Sequence, residues 1–413
     1  MMLQRKKTEP EEKKVGFAEV LWHHDVLATI IQISSCFNEW KPVIITTESL
    51  YNKVDKCYPG KIDTIFVDEP YLRTWSSSSM IGKIIHLPRL FVEMRRQGKK
   101  FVDIIQSLDL DIVVFNTLAA PWYFYPTFRW LKSGKNTPRA VAIIHNAHFW
   151  CLEYFLDQLS LSDLKHGKFG YVFFNLLYRG VLKGVIKLGD YVQLPKALID
   201  IPVFTIPSRL SELEGDIEKK TEPVTFVIPG KVTQKRRDYI SVLKAFRTVF
   251  ENNPSFKKKV NIVLLGRLED QKVKNVIERY ELQDCLQYYD EFISEEEFKQ
   301  QLYNAHYAII PPFISSAYGK YKISGSLNDA ISAGLPIILP KTYAPHYRFG
   351  KNVLRFSPDN LPSILEKAID MVIHNKREYR IMKNEARNKR DLWSAEKIAT
   401  NFEHFLDKVM GEK

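Results

Sequence analysis

Ser324, Gly325 and Ser326 open a short helix between two apolar strands, and Lys322 stands just ahead of them. Ala308 to Phe313 reads as a buried strand halted by Pro311 and Pro312, and Leu335 to Leu339 reads as a second one. The chain between them must turn and then run as a helix to about Ala333. A helix start carries N–H groups without intrahelical partners and the positive end of the helix dipole, so it attracts anions, phosphate above all. Ser324 or Ser326 is placed to cap it by accepting one of those N–H groups. Asp329 follows one turn later as a carboxylate able to accept from hydroxyls. A phosphate seat beside a hydroxyl acceptor predicts a nucleotide-sugar ligand.

Three further clusters follow strands. Gly230 permits a tight turn after Val224–Ile228, and Lys231, Lys235, Arg236 and Arg237 come directly behind it. Such cations would neutralise a diphosphate leaving group; the alternative is a solvated basic loop. Trp22-His23-His24-Asp25 follows the strand Val15 to Leu21. His24 or Asp25 is a candidate base for an acceptor hydroxyl, the alternative being that Asp25 caps the next helix and the histidines are merely exposed. His145-Asn146-Ala147-His148 ends the strand Arg139 to Ile144. Its two histidines lack a carboxylate or cysteine partner at ligand spacing, so neither a metal nor a cofactor is expected.

The elements that position these groups alternate strand with helix through most of the chain. That pattern predicts an α/β protein built on mostly parallel sheets covered on both faces. Residues 1–14 read as a disordered tail, 15–206 as an N-terminal, acceptor-side Rossmann-like domain and 207–223 as a polar linker. Residues 224–390 read as a C-terminal nucleotide-sugar-binding domain, and 391–413 as a helix packing back toward the N-terminal one. Lys168 to Lys183 reads as one apolar helix with basic positions, and Tyr191–Leu194 with Val203–Ile206 as the close of the first half. Two doubly wound sheets would face a central cleft, with ligands beyond the carboxyl ends of the strands.

A formal charge of +12 over 413 residues favours polyanionic partners. No nucleic-acid signature accompanies it, so nucleic acid is not the expected partner. Cys36, Cys57, Cys151 and Cys285 have no ligand spacing and suit small thiols in a reducing compartment. No secretory signal and no membrane-spanning stretch is visible, which predicts a cytoplasmic protein. Trp122 to Lys132 is aromatic with basic punctuation, and Phe169 to Val185 is apolar with flanking cations. Both suit peripheral contact with an anionic membrane surface, although such aromatics are also ordinary core.

From Val224 to about Val409 the chain resembles the donor-binding half of GT-B glycosyltransferases, most like the group-1 (family 4) set. Gly230-Lys231-Val232, with Arg237 and Ala245 behind, is similar to that family's Gly-Arg-Leu…Lys-Gly…Ala pattern. The resemblance implies that Lys231 and Arg237 hold the donor diphosphate. Phe292-Ile293-Ser294-Glu295-Glu296 through Tyr307 resembles the segment whose backbone faces the nucleotide base. Asn328 to Pro336 is similar to the Glu-Ala-Met-Ala-x-Gly-x-Pro run, which implies that Asp329 binds the ribose. His145 matches the strand-end histidine that approaches the donor sugar. The first glutamate of the family's pair falls at Tyr321, and the glycine-rich loop after the first strand is replaced by Trp22–Asp25.

The sequence thus predicts a metal-independent, hexosyltransferase-like enzyme. It would move a sugar from a UDP- or GDP-sugar to a glycan or lipid-linked acceptor in cell-envelope polysaccharide synthesis. A GT-B epimerase or hydrolase acting on the nucleotide-sugar, or a non-catalytic GT-B-like or glycan-binding protein, are the alternatives.

Overall fold

A computed structural model describes residues 12–54, 62–70, 87–118, 120–157, 168–211, 222–315 and 317–411. The chain forms two units: residues 1–188, 194–206 and 395–413 make the first, and residues 189–193 and 207–394 the second.

The first unit is a seven-stranded sheet of β1 (Lys13–Glu19), β2 (Trp40–Thr46), β3 (Asp63–Phe66), β4 (Ile112–Phe115), β5 (Arg139–Ile144), β6 (Leu182–Leu188) and β7 (Val203–Ile206). Their order is β3-β2-β1-β4-β5-β6-β7, with every pairing parallel. All four residues of β4 are fully buried, as a strand needs when both sheet faces are covered. Strand order reverses between β1 and β4, so the loops after these two strands diverge and open a crevice at their carboxyl ends.

Several elements differ from expectation. Most of the expected tail lies outside the described residues, but Lys13 and Lys14 already belong to β1. The expected helix Lys168–Lys183 stops at Tyr178, and Leu182–Leu188 is strand β6. An apolar run does not by itself separate helix from buried strand; here β5 and β7, hydrogen-bonding on either side, decide it. Gly184 leaves room for Val409, whose Cγ2 a Cβ would approach to 2.7 Å. Tyr191–Leu194 forms no strand, and residues 189–193 group with the second unit.

The helix Ala395–Met410 packs within the first unit. Phe402 and Phe405 stack on Phe204 of β7, with centroids 5.1 and 5.5 Å away. Buried Glu403 faces the turn before β2, where its Oε1 accepts from the N–H groups of Asn38 (2.8 Å), Glu39 (2.7 Å) and Trp40 (3.2 Å).

The second unit is a six-stranded parallel sheet of β8 (Val224–Pro229), β9 (Val260–Arg267), β10 (Leu286–Tyr289), β11 (Tyr307–Ile309), β12 (Ile337–Pro340) and β13 (Val353–Phe356). Its order is β10-β9-β8-β11-β12-β13, reversing between β8 and β11. The edge strand β13 and the helix Lys376–Asp391 were not expected; β13 is only four residues long and the helix is mostly polar, which hides them from a periodicity reading. Of the expected linker, residues 212–221 lie outside the described residues, while residues 207–211 group with the second unit. Among the described residues no helix is long and apolar enough to cross a membrane.

Replacing Glu403 with Ala leaves three amides without their acceptor, so Glu403→Ala should lower stability by about 2–4 kcal/mol. Glu403→Gln, which keeps one acceptor oxygen, should cost less. Thermal unfolding of the two variants side by side checks this, and equal losses would contradict it.

Candidate functional site

At the reversal of the second sheet, β8 ends in Pro229 and the chain turns at Gly230 with φ +97°. The Pro229 carbonyl accepts from Arg237 Nη1 at 2.7 Å and from Ser326 Oγ at 2.6 Å. Gly230 is required on both counts. A Cβ there would lie 2.8 Å from Ser326 Oγ and 3.1 Å from Arg237 Nη1, in a backbone region that side chains avoid. Gly266 allows the same approach from β9, since its Cβ would sit 2.6 Å from the Gly230 carbonyl oxygen. The structure therefore gathers Gly230, Arg237 and Ser326 at the start of the helix Gly325–Ser332.

Neither serine caps that helix. Ser324 is the N-cap residue but its side chain makes no capping bond, and Ser326 is turned to Pro229. Instead, the Ser324 N–H donates to the Tyr191 hydroxyl at 3.3 Å. Burial pushes the Tyr191 phenol up to about 12. Ser324 Oγ is buried with no hydrogen-bond partner. In front of Gly325 the space is open, for a Cβ there would meet nothing within 4 Å.

Lys322 joins this cluster through aromatic rings. Its Nζ lies 4.9 Å from the Tyr318 centroid, Tyr318 stacks on Phe313 at 4.4 Å, and the Arg237 guanidinium lies 5.2 Å from Phe313. Two cations thus bracket an aromatic pair, which holds them apart from each other while both stay at the helix start. Phe313 and Tyr318 were not singled out in the sequence, since aromatic residues beside a strand end read as core.

The remaining expected ligands are placed differently. Lys231 pairs with Glu269 at 2.5 Å, and Glu269 also pairs with Arg267. The Arg267 guanidinium lies 4.4 Å from the centroid of Phe292, an exposed ring at the start of the segment that continues through half-buried Ile293. Asp329 is met by Arg209 Nε at 3.5 Å, and the same guanidinium reaches Glu295 at 2.9 Å. Arg209 follows β7 in a stretch read as linker, so only the fold brings it to Asp329. Tyr321, where the family has a glutamate, is buried.

In the first unit the crevice after β1, β4 and β5 holds the histidines. His145 Nε2 lies 2.8 Å from Asn116 Oδ1. The amide of Asn116 is oriented by its Nδ2, which donates to the His23 carbonyl at 3.3 Å. With Oδ1 as the acceptor, Nε2 is the donating nitrogen, and this bond orients the ring. The ring beside His145 is His23, stacked at 3.8 Å and 20°; His24 instead pairs with Asp25 at 3.1 Å on an exposed helix start. Asp25 does not cap that helix, whose N-cap is His23 without a side-chain bond.

Glu19 ties the loop after β1 in place. Its Oε1 accepts from the N–H groups of Leu21 (2.7 Å) and Trp22 (3.2 Å), and Oε2 is 2.5 Å from the Thr117 hydroxyl. Desolvation in this buried place holds its pKa above the usual carboxylate range, against the lowering pull of those hydrogen bonds. Beside it lies a cavity of about 220 Å³ lined by Trp22, His23, Asn146, Trp150 and Asn175 among others. The Oδ1 atoms of Asn146 and Asn175, two residues of its lining, are buried with no hydrogen-bond partner. Among the described residues no cluster of His, Cys, Asp or Glu is arranged to hold a metal ion.

No protein-family model matches the sequence, and no curated protein does. Solved structures do match over nearly the whole chain. The N-terminal domain of Candida albicans trehalose-6-phosphate phosphatase superposes with a TM-score of 0.62 at 11% identity, covering 98% of both chains. HepE of Anabaena, solved in complex with UDP, gives 0.61 at 11% identity over 96% of this chain and 100% of its own. The fold is GT-B. A UDP-glucosyltransferase from Polygonum tinctorium that glucosylates indoxyl shares this GT-B architecture, with a TM-score of 0.56, 11% identity and 98% of this chain covered.

Gly230→Ala should cost about 1–3 kcal/mol from backbone strain, read as a lower unfolding temperature; an unchanged midpoint would contradict the tight turn. Glu19 has a folded pKa above its unfolded one. The stability tied to its neutral form is present below the unfolded value and is lost as pH rises through the folded one. Glu19→Gln, which cannot ionise, should therefore gain on the native protein as pH rises above the usual carboxylate range. Parallel melting curves from that range upward test this, and identical pH slopes would exclude it.

Proposed function

We propose that the protein is a glycosyltransferase that takes its sugar from a nucleotide-sugar donor. The observation that carries this reading is the cluster at Pro229: Arg237, Ser326 and Gly230 meet at an open helix start with Lys322 alongside. Backbone amides and two cations there suit a diphosphate, and their positive charge stabilises it as it leaves the sugar. UDP bound to HepE, a structure of the same fold, supports a uridine nucleotide. Asp329, oriented by Arg209, would accept from ribose hydroxyls, and the Phe292–Ile293 segment would line the base. Lys231 would reach the diphosphate by exchanging its Glu269 partner for phosphate oxygen.

In the first unit, His145 is the proton acceptor of this reading, held in one tautomer by Asn116 and flanked by His23. The neighbouring cavity would take the hydroxyl-bearing acceptor on Trp22, Asn146 and Asn175. The reaction would draw on no metal, the diphosphate charge being met by side chains. We read the acceptor as a glycan or lipid-linked sugar of cell-envelope polysaccharide assembly, handled at the cytoplasmic face of a membrane.

Calorimetric titration with UDP tests the donor half. Lys231→Ala combined with Arg237→Ala should weaken binding at least tenfold, about 1.4 kcal/mol; an unchanged affinity would remove the phosphate assignment. His145→Ala should keep UDP affinity while lowering sugar transfer by about 10²–10⁴-fold, the range for a lost general base. Transfer is followed by mass spectrometry over a panel of nucleotide-sugars, and undiminished transfer by this variant would exclude His145 as the base.

A further inference from the structure

Away from both strand-end sites, the helices Leu87–Ser107, Pro121–Ser133 and Lys168–Tyr178 pack as one layer of the first unit. Gly98 lets the first two meet at backbone distance, since a Cβ there would lie 2.0 Å from the Tyr123 carbonyl oxygen. Tyr123, Phe124 and Phe128 of the aromatic stretch point into the core, and Phe128 packs on Phe174 at 5.4 Å. The outward faces are another matter. Val92 is 70% exposed, Trp122 52%, Phe173 71% and Leu177 50%, four large apolar side chains on three neighbouring helices.

Charge collects on the same helices. Their sequences carry eight Lys and Arg against the two carboxylates Glu93 and Asp103, which is half of the chain's net +12. The helices Pro121–Ser133 and Lys168–Tyr178 contain no acidic residue at all. Between the first two helices opens a groove of about 460 Å³ lined by Arg95, Lys99, Arg129, Tyr125 and Trp130, with Asp103 as its one carboxylate. Residues three, four and seven apart share a helix face, so Val92, Arg95 and Lys99 form one stripe, and Trp122, Tyr125 and Arg129 another.

We propose that these three helices form a docking face for an anionic lipid bilayer, with the Arg95–Lys99–Arg129 groove seating a headgroup phosphate and Trp122 and Phe173 entering the interface. Cations beside exposed apolar and Trp side chains match a surface that is negative at its headgroups and apolar just beneath. A nucleic acid would meet the cations but leave Val92, Phe173 and Leu177 without use. Attachment by this face is peripheral, through helices that lie on the surface rather than through it. None of these residues belongs to the Pro229 cluster or the histidine crevice, so vesicle binding and UDP binding fail independently of each other.

Co-sedimentation of the full chain with phosphatidylcholine vesicles, with or without about one-third phosphatidylglycerol, provides the test. Binding is expected to the anionic vesicles only and to fall as salt is raised. Arg95→Glu with Lys99→Glu and Arg129→Glu should weaken it about a hundredfold or more, at roughly one surface-cation contribution per site removed. Trp122→Ser with Phe173→Ser should weaken it as well, by the apolar part. Circular dichroism and a thermal unfolding transition matching those of the unaltered protein show that both variants are folded. Equal binding to neutral vesicles, no binding to either kind, or unaltered binding by the charge-reversed variant would overturn the proposal. So would full competition by soluble polyphosphate together with no effect of the Trp122 and Phe173 changes, which would mark a polyanion site instead.

Discussion

One carbonyl oxygen ties the donor half of the candidate site together. Pro229 O sits at the end of β8, where the strand order reverses, and it accepts from both Arg237 and Ser326. Arg237 comes from the loop that leaves β8, and Ser326 from the helix that follows β11. These loops diverge because the chain leaves β8 toward β9 on one side and leaves β11 toward β12 on the other. A shared acceptor holds them at a fixed separation, and with them the guanidinium and the helix start that would face an anion. Gly230 and Gly266 belong to the same constraint, because any side chain at either position would fill the space in which the bonds form.

The first unit meets a similar demand by a different device. Its reversal lies between β1 and β4, and Glu19 at the end of β1 bonds both to its own loop and to Thr117 after β4. Asn116 then joins the His23 carbonyl to the His145 ring. A buried carboxyl is an expensive way to shape a turn, since desolvation opposes its charge. It gives in return a loop tied at both strand ends that carries Trp22 to the lining of a cavity. Rigid placement of the groups that meet a substrate is what general-base chemistry requires of its surroundings.

Charge is divided unevenly between these roles. Near the Pro229 cluster, Arg237 and Lys322 lie over aromatic rings and Lys231 is paired with Glu269, so these three are held in place. Those on the outer helices of the first unit are mostly solvated and accompany exposed apolar side chains. The same net positive composition thus serves a built pocket in one place and a broad surface in another.

Most strands were legible in the sequence, because a parallel strand buried on both faces is a short apolar run, and Val224–Pro229 or Ile112–Phe115 can hardly be anything else. Gly230, Arg237 and the Ser324–Ser326 helix start were legible for a related reason: turn glycines, cations and helix caps are local signals. β6 was not, since the apolar run from Phe169 to Leu188 holds both a helix and a strand, and only pairing with β5 and β7 separates them. The residue types and their order along the chain determined which groups stand at strand ends and which chemistry they offer. Which groups meet was decided by tertiary structure alone: His23 rather than His24 beside His145, Arg209 on Asp329, Glu269 on Lys231, Glu19 on Thr117. The physical reason is that contact between residues far apart in the chain depends on strand order and loop direction, and neither is written in any single stretch of sequence.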